Sequence, residues 1–230
     1  MKTYAIILAS GVGSRLGADV PKQFIKVCGE MIVCHTIDVF LATPEVDEII
    51  VVVSHPYLDM MTSYYSRNEN CKPIRIIVGG ESRKASCING VNAIQDAEAR
   101  VLVHNGVQPF ITQKTICDCI DALEEYDSVS VGSPCVYTIL EIDSNRVLKR
   151  IVDRSHSVND LGPECFKLSL IRDALARGIN DAGFTNLTAL VVKYGLSDVY
   201  VVDGDPCNIK ITYPDDLIVA EEMMKRRKGK

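Results

Sequence analysis

Leu8-Ala9-Ser10-Gly11-Val12-Gly13-Ser14-Arg15-Leu16-Gly17, closed by Pro21-Lys22, is the stretch that decides how the chain is read. The apolar run Tyr4-Ala5-Ile6-Ile7-Leu8 before it has the texture of a buried first strand. A strand that runs straight into a glycine-rich turn is where α/β sheets take up phosphate. Gly11 and Gly13 are expected to let the backbone approach an anion and to accept a positive φ at no steric cost. Arg15 and Lys22 add two cations, the first a planar fork for phosphate oxygens, the second a compact point charge. The spacing sets this loop apart from two better-known ones. The third glycine of G-x-G-x-x-G arrives one residue late, at Gly17, and Lys22 is followed by Gln23 rather than Ser or Thr.

Outward from this loop, strands and helices alternate, which predicts an α/β domain with a mainly parallel twisted sheet covered on both faces. Helices are expected over 31–41, 57–67, 113–125, 167–179 and 185–194, and from Pro214 to near the C-terminus. Buried strands are expected over 48–53, 74–78, 100–104 and 199–202. Gly79-Gly80-Glu81-Ser82-Arg83-Lys84-Ala85-Ser86 follows one strand; Ser82 can cap a helix that carries Arg83 and Ser86 on one face. His104-Asn105-Gly106-Val107-Gln108-Pro109-Phe110 follows another, at a strand end where ligands of open α/β sheets bind. His104 itself is read as a structural histidine. From Ser128 the texture changes to three strands, 129–131, 136–142 and 146–152, with Asp143-Ser144-Asn145 as a hairpin turn. A long hairpin is not stable alone and must pack on its own body or on a second subunit. The second option predicts a homodimer built on an arm over 135–155. Asn208-Ile209-Lys210-Ile211-Thr212 is read as a short apolar strand, whose Lys210 needs an anion or a route to solvent.

The chain has 230 residues, enough for one domain spanning 1–230. Its net charge of -5 gives no bulk attraction to nucleic acid or to an anionic membrane surface. No apolar run approaches the roughly twenty residues of a membrane span. The nine cysteines form no C-x-x-C pair and are read as reduced thiols of a cytoplasmic protein. The basic run from Lys225 to Lys230 is read as a solvated helix end.

Five blocks occur in order: the first loop with Pro21-Lys22-Gln23; Gly79-Gly80-x-x-Arg83-x-x-Ser86; Val103-His104 with Pro109-Phe110; Val152-Asp153-Arg154; and Asn208-Ile209-Lys210-Ile211-Thr212 with Pro214-x-Asp216-Leu217. Together they resemble the cytidylyltransferase family that contains the methylerythritol 4-phosphate and ribitol 5-phosphate cytidylyltransferases. The resemblance spans nearly the whole chain. It implies a single nucleotidyltransferase domain with a dimerising β-arm, and a reaction of CTP with an alditol phosphate that uses Mg²⁺ and releases pyrophosphate. By motif it assigns nucleotide binding to Ala9, Ser10, Gly11, Val12, Gly13, Gly80, Arg83 and Ser86. It assigns catalysis to Arg15, Lys22 and Lys210, and alditol phosphate binding to Thr138, Arg154 and Thr185, the arm residues reaching a neighbouring subunit.

The chain departs from the family where the family writes His-Asp-x-x-Arg-Pro-Phe. The Asp that would hold Mg²⁺ is Asn105, and the Arg is Gln108. The family's Thr-Pro-Gln is Gly162-Pro163-Glu164, and Thr185 is followed by Asn186-Leu187 instead of acidic residues. Two expectations follow from Asn105. One is an active cytidylyltransferase, Asn105 offering a neutral oxygen. The alternative is a degenerate nucleotide-binding paralogue with weak or no activity. A nucleotidyltransferase for another nucleotide or sugar phosphate is a third reading. Isoprenoid supply and cell-surface polymer assembly both stay open as settings.

Overall fold

The computed structural model describes residues 1–11, 20–66, 72–181 and 186–228. The elements in chain order are β1 (Lys2–Ala9), β2 (Lys26–Val27), β3 (Glu30–Met31), α1 (Ile32–Leu41), β4 (Glu48–Val53), α2 (Leu58–Tyr65), β5 (Ile74–Val78), α3 (Arg83–Asn92), β6 (Ala99–Asn105), α4 (Gln113–Ala122) and β7 (Ser128–Pro134). They continue with β8 (Ile139–Ile142), β9 (Leu148–Val152), β10 (Val158–Asp160), β11 (Glu164–Lys167), α5 (Leu168–Arg177), α6 (Thr188–Lys193), β12 (Val199–Asp203) and α7 (Pro214–Lys228).

The period-2 pattern of the central strands explains the layering. In β1, Ala5, Ile7 and Ala9 point to one core with Ile49, Val51 and Val53 of β4; α1, α2 and α4 cover that face. Tyr4 and Ile6 of β1 point the other way, with Ile50 and Val52, under α3, α5 and α6. A third cluster, Val27, Ile32, Val107, Phe110, Ile211, Ala220 and Met224, seats α7 beside the carboxyl edge of the sheet.

The main sheet runs β10-β7-β11-β6-β1-β4-β5, with β12 on the free edge of β7. β1 is parallel to both β4 and β6, β4 to β5, and β7 to β12. β10 and β11 are antiparallel intrusions that the sequence reading missed. The chain moves outward from β1 to β4 and β5, then returns to the opposite side of β1 as β6. This reversal puts a topological switch point between β1 and β6, where Leu8 is in register with Asn105.

The arm strands β8 and β9 form their own two-stranded sheet. The Asp143 carboxylate closes its turn by accepting from the Asn145 and Val147 amides, both at 2.9 Å. The segment 208–212 is not a strand. The Ile211 N–H goes to the Val107 carbonyl, and the Thr212 and Tyr213 amides go to the Asp216 carboxylate that opens α7, so no strand partner is left for it. In the basic helix end Lys225 and Arg226 are exposed and pair with Glu221 and Glu222 one turn back, whereas Arg227 donates to the Phe110 carbonyl at 2.9 Å and lies over that ring. Among the described residues no helix is long and apolar enough to cross a membrane, and the eight described cysteines are free.

Candidate active site

Three loops at the carboxyl ends of β1, β5 and β6 converge. Ser82 caps α3, its Oγ accepting from the Ala85 N–H at 3.1 Å, and this fixes where Arg83 and Ser86 stand. Ser86 is buried; its Oγ lies 2.8 Å from Ser10 Oγ and accepts from the Gly80 N–H at 3.2 Å. Gly79 and Gly80 make this approach possible. A Cβ on Gly79 meets Ser10 Cβ and Ser86 Oγ at 2.7 Å, and one on Gly80 collides with Ala85 Cβ. Gly11 behaves otherwise than expected. Its φ is not in the left-handed region, and among the described residues an added Cβ meets nothing within 4 Å, so no strained backbone calls for glycine here.

Gln23 is a site residue the sequence reading did not single out. It is buried in the one-turn helix Lys22–Phe24, and its Nε2 donates to the Ala9 carbonyl at 2.7 Å and the Gly11 carbonyl at 2.8 Å. Its signal was a lone amide leading into the apolar Phe24-Ile25. The neighbouring Lys22 donates from Nζ to the Ile211 carbonyl at 2.9 Å, which ties the first loop to the segment carrying Lys210.

Two cavities open here. One of 340 Å³ is lined by Ser10, Gly11, Lys22, Gly80, Ser86 and Thr212, among others. The other, of 420 Å³, is lined by Gln108, Asn159, Asp160, Glu164, Asn186 and Asn208, among others. Arg83, Asn105 and Lys210 line both. The first cavity is rich in backbone and hydroxyl groups and cations; the second is rich in amides and carboxylates.

Glu164 is buried in the wall of the second cavity. It accepts from Arg83 Nη2 at 3.2 Å and from the Leu187 N–H at 2.6 Å. Burial raises its carboxyl to about 7 despite the opposing pull of the Arg83 guanidinium. Burial also lowers His104 to about 4, so it is a neutral ring whose Nε2 contacts the Gln108 carbonyl at 3.1 Å. A carbonyl only accepts, so Nε2 carries the hydrogen. This is the structural role read from the sequence.

Ala9, Ser10, Gly11, Lys22, Gly80, Arg83, Ser86, Asn105 and Lys210 are thus brought together. Val12, Gly13, Arg15 and Thr185 lie outside the described residues. Thr138 and Arg154 belong to neither cavity of their own chain. Thr138 is exposed ahead of β8, and Arg154 donates to the Val136 carbonyl at 2.8 Å beside a separate shallow depression. Gln108, Glu164 and Asn208 line the site without having been assigned to it from sequence.

A glycine-lined cavity at the switch point of an α/β sheet, walled by lysines and sharing Arg83, Asn105 and Lys210 with a second polar cavity, is the architecture of a nucleotide-binding protein, here of the nucleotidyltransferase type. The profile of the 2-C-methyl-D-erythritol 4-phosphate cytidylyltransferase (IspD) family matches residues 3–226, and the chain belongs to that family. It is 32% identical over 230 residues to the 2-C-methyl-D-erythritol 4-phosphate cytidylyltransferase of Thermobifida fusca, covering 96% of this chain and 92% of that one. It is also 32% identical over 234 residues to a bifunctional ribulose 5-phosphate reductase/CDP-ribitol pyrophosphorylase of Haemophilus influenzae, covering 98% of this chain and 49% of that one. Its fold superposes on the crystal structure of the 4-diphosphocytidyl-2C-methyl-D-erythritol synthase of Anaerococcus prevotii with a TM-score of 0.88 at 26% identity, covering 97% and 96% of the two chains.

Proposed function

We propose that the chain transfers CMP from CTP to the phosphate of an alditol phosphate, of the methylerythritol 4-phosphate or ribitol 5-phosphate type, and releases pyrophosphate. The observation that carries this reading is the pair of cavities meeting at Arg83, Asn105 and Lys210, with Lys22 in the wall of the first. The first cavity takes the nucleotide, with Gly80 and Ser86 at the cytidine and Ser10 and Gly11 at the phosphates. The second takes the alditol phosphate. An oxygen of that phosphate forms the new bond to the α-phosphorus of CTP, and the bond from the α-phosphorus to the bridging oxygen breaks. The nucleophile is already ionised, so no general base is needed. Alignment and positive charge do the work. Lys22 and Lys210 supply that charge, and the motif resemblance assigns the same role to Arg15 and nucleotide binding to Val12 and Gly13.

Mg²⁺ is read as entering with the nucleotide, ligated mainly by phosphate oxygens and water. Asn105 offers it a neutral oxygen. Thr138 and Arg154 serve the acceptor cavity of a second copy of the chain, and the motif resemblance assigns Thr185 to the same substrate. The arm supports a homodimer. Leu140 pairs across from Ile151 and Ile142 from Leu148, and all four are exposed.

Pyrophosphate release tests the reading, with CTP, UTP, ATP and GTP each offered methylerythritol, ribitol and glycerol phosphates. Turnover is expected with CTP and one of the first two acceptors. A chain that turns over no pair is not this enzyme.

A further inference from the structure

The turn that ends β6 dictates which face of Asn105 a ligand meets. Gln108, 4% exposed, closes that turn by donating its backbone N–H to the Asn105 carbonyl at 3.1 Å. Its side-chain Nε2 donates to the Leu161 carbonyl at 2.8 Å and the Asn208 carbonyl at 3.4 Å. Carbonyl oxygens only accept, so the NH₂ end of Gln108 is fixed toward them and Oε1 faces the other way. Oε1 lies 2.6 Å from the Asn105 amide, and an oxygen there must receive a hydrogen. Asn105 therefore donates through Nδ2, and its Oδ1 is turned away from Gln108. Asn105 lines both cavities.

We infer that Gln108 is a positioning residue. It holds Asn105 with Nδ2 toward it and Oδ1 turned away, and the same amide chain makes a carboxylate at position 105 incompatible with a glutamine at 108. What fills the cavities rests on the proposed function; the order of the amides does not. A carboxylate at 105 would place two oxygens against each other at the 2.6 Å contact with no hydrogen between them. Gln108 cannot turn round without abandoning both carbonyls, and a buried acceptor pair of this kind is costly. An arginine at 108 donates in both directions and resolves the conflict.

The test compares wild type, Asn105→Asp and Asn105→Asp/Gln108→Arg by thermal melting at neutral pH and by turnover. Asn105→Asp should melt below wild type, because an ionised carboxyl has no hydrogen to give Gln108 Oε1. Its kcat should fall on the order of tenfold or more, and the double variant should recover both stability and kcat. If wild type turns over no substrate pair, the proposed function fails while the melting series still judges the amide order. A double variant no more stable than Asn105→Asp, or an Asn105→Asp enzyme as stable and as fast as wild type, overturns the inference.

Discussion

A methyl group added at Gly79 meets Ser10 Cβ and Ser86 Oγ, each at 2.7 Å. Neither can retreat easily, since Ser86 is buried and Ser10 follows directly on β1. Gly79→Ala should push Ser10 and Ser86 apart, destabilise the chain by about 1–3 kcal/mol as overpacking does, and weaken CTP binding. Melting and calorimetric titration measure the two effects, and an unchanged CTP affinity would remove the Ser10–Ser86 contact from the nucleotide site. Lys22 does two things at once, carrying charge into the first cavity and donating to the Ile211 carbonyl. Lys22→Gln keeps a donor and removes the charge; Lys22→Ala removes both. If charge is what matters, both variants should lose on the order of a hundredfold in kcat, the scale of one preorganised electrostatic contact. A glutamine variant with wild-type kcat would reduce Lys22 to a tether between loops.

Among the elements, the arm makes the sharpest claim. Glu141 and Arg150 occupy one face of the hairpin and pair at 2.6 Å, while Leu140 and Ile151 on the other face are 55% and 63% exposed. Two strands with one apolar face are marginal alone. Leu140→Lys should shift the chain from dimer to monomer in light scattering at micromolar concentration and leave the body's melting little changed. A wild-type chain already monomeric at that concentration would refute the arm's dimer role. The elements legible in the sequence are those that carry their own local signal. β1 and β4 carry unbroken apolar runs, β5 is an Ile/Val run interrupted by Arg75, α3 announces its start with Ser82, and α7 opens on Pro214. The elements that escaped are specified by distant partners. β11 has only four residues and is a strand because β6 and β7 flank it. Segment 208–212 alternates like a strand because Ile209 and Ile211 pack into the α7 cluster, yet its polar groups go to a turn and a lysine. The same distinction holds at the site. The glycine loop is readable from its neighbours, whereas Gln108 acquires its role from carbonyls 53 and 100 residues away.

For the molecule as a whole, the return of β6 beside β1 gathers the cations into one place and also buries two titrating groups near the second cavity, with opposite consequences. Glu164, raised to about 7 by burial, is held protonated in the fold where the unfolded chain would ionise it. Its contribution to stability is full below the ordinary carboxylate value of 4.5 and is lost as pH rises through about 7. His104, lowered to about 4 by burial, is held neutral where the unfolded chain would protonate it. Its contribution is full above 6.5 and is lost as pH falls through about 4. Each alone tilts stability by about 1.4 kcal/mol per pH unit at its steepest, and between pH 4.5 and 6.5 the two tilts oppose each other. Removing one group should expose the other. Glu164→Gln should lose stability on acidification through this window faster than wild type. His104→Gln keeps a donor for the Gln108 carbonyl and should instead lose stability as pH rises from 4.5 to 7. Denaturant unfolding of the three chains across pH 4 to 8 measures both slopes, and because every other titrating group is common to all three, the differences isolate these two. Parallel curves for wild type and both variants would mean that neither group is held in the protonation state its burial dictates.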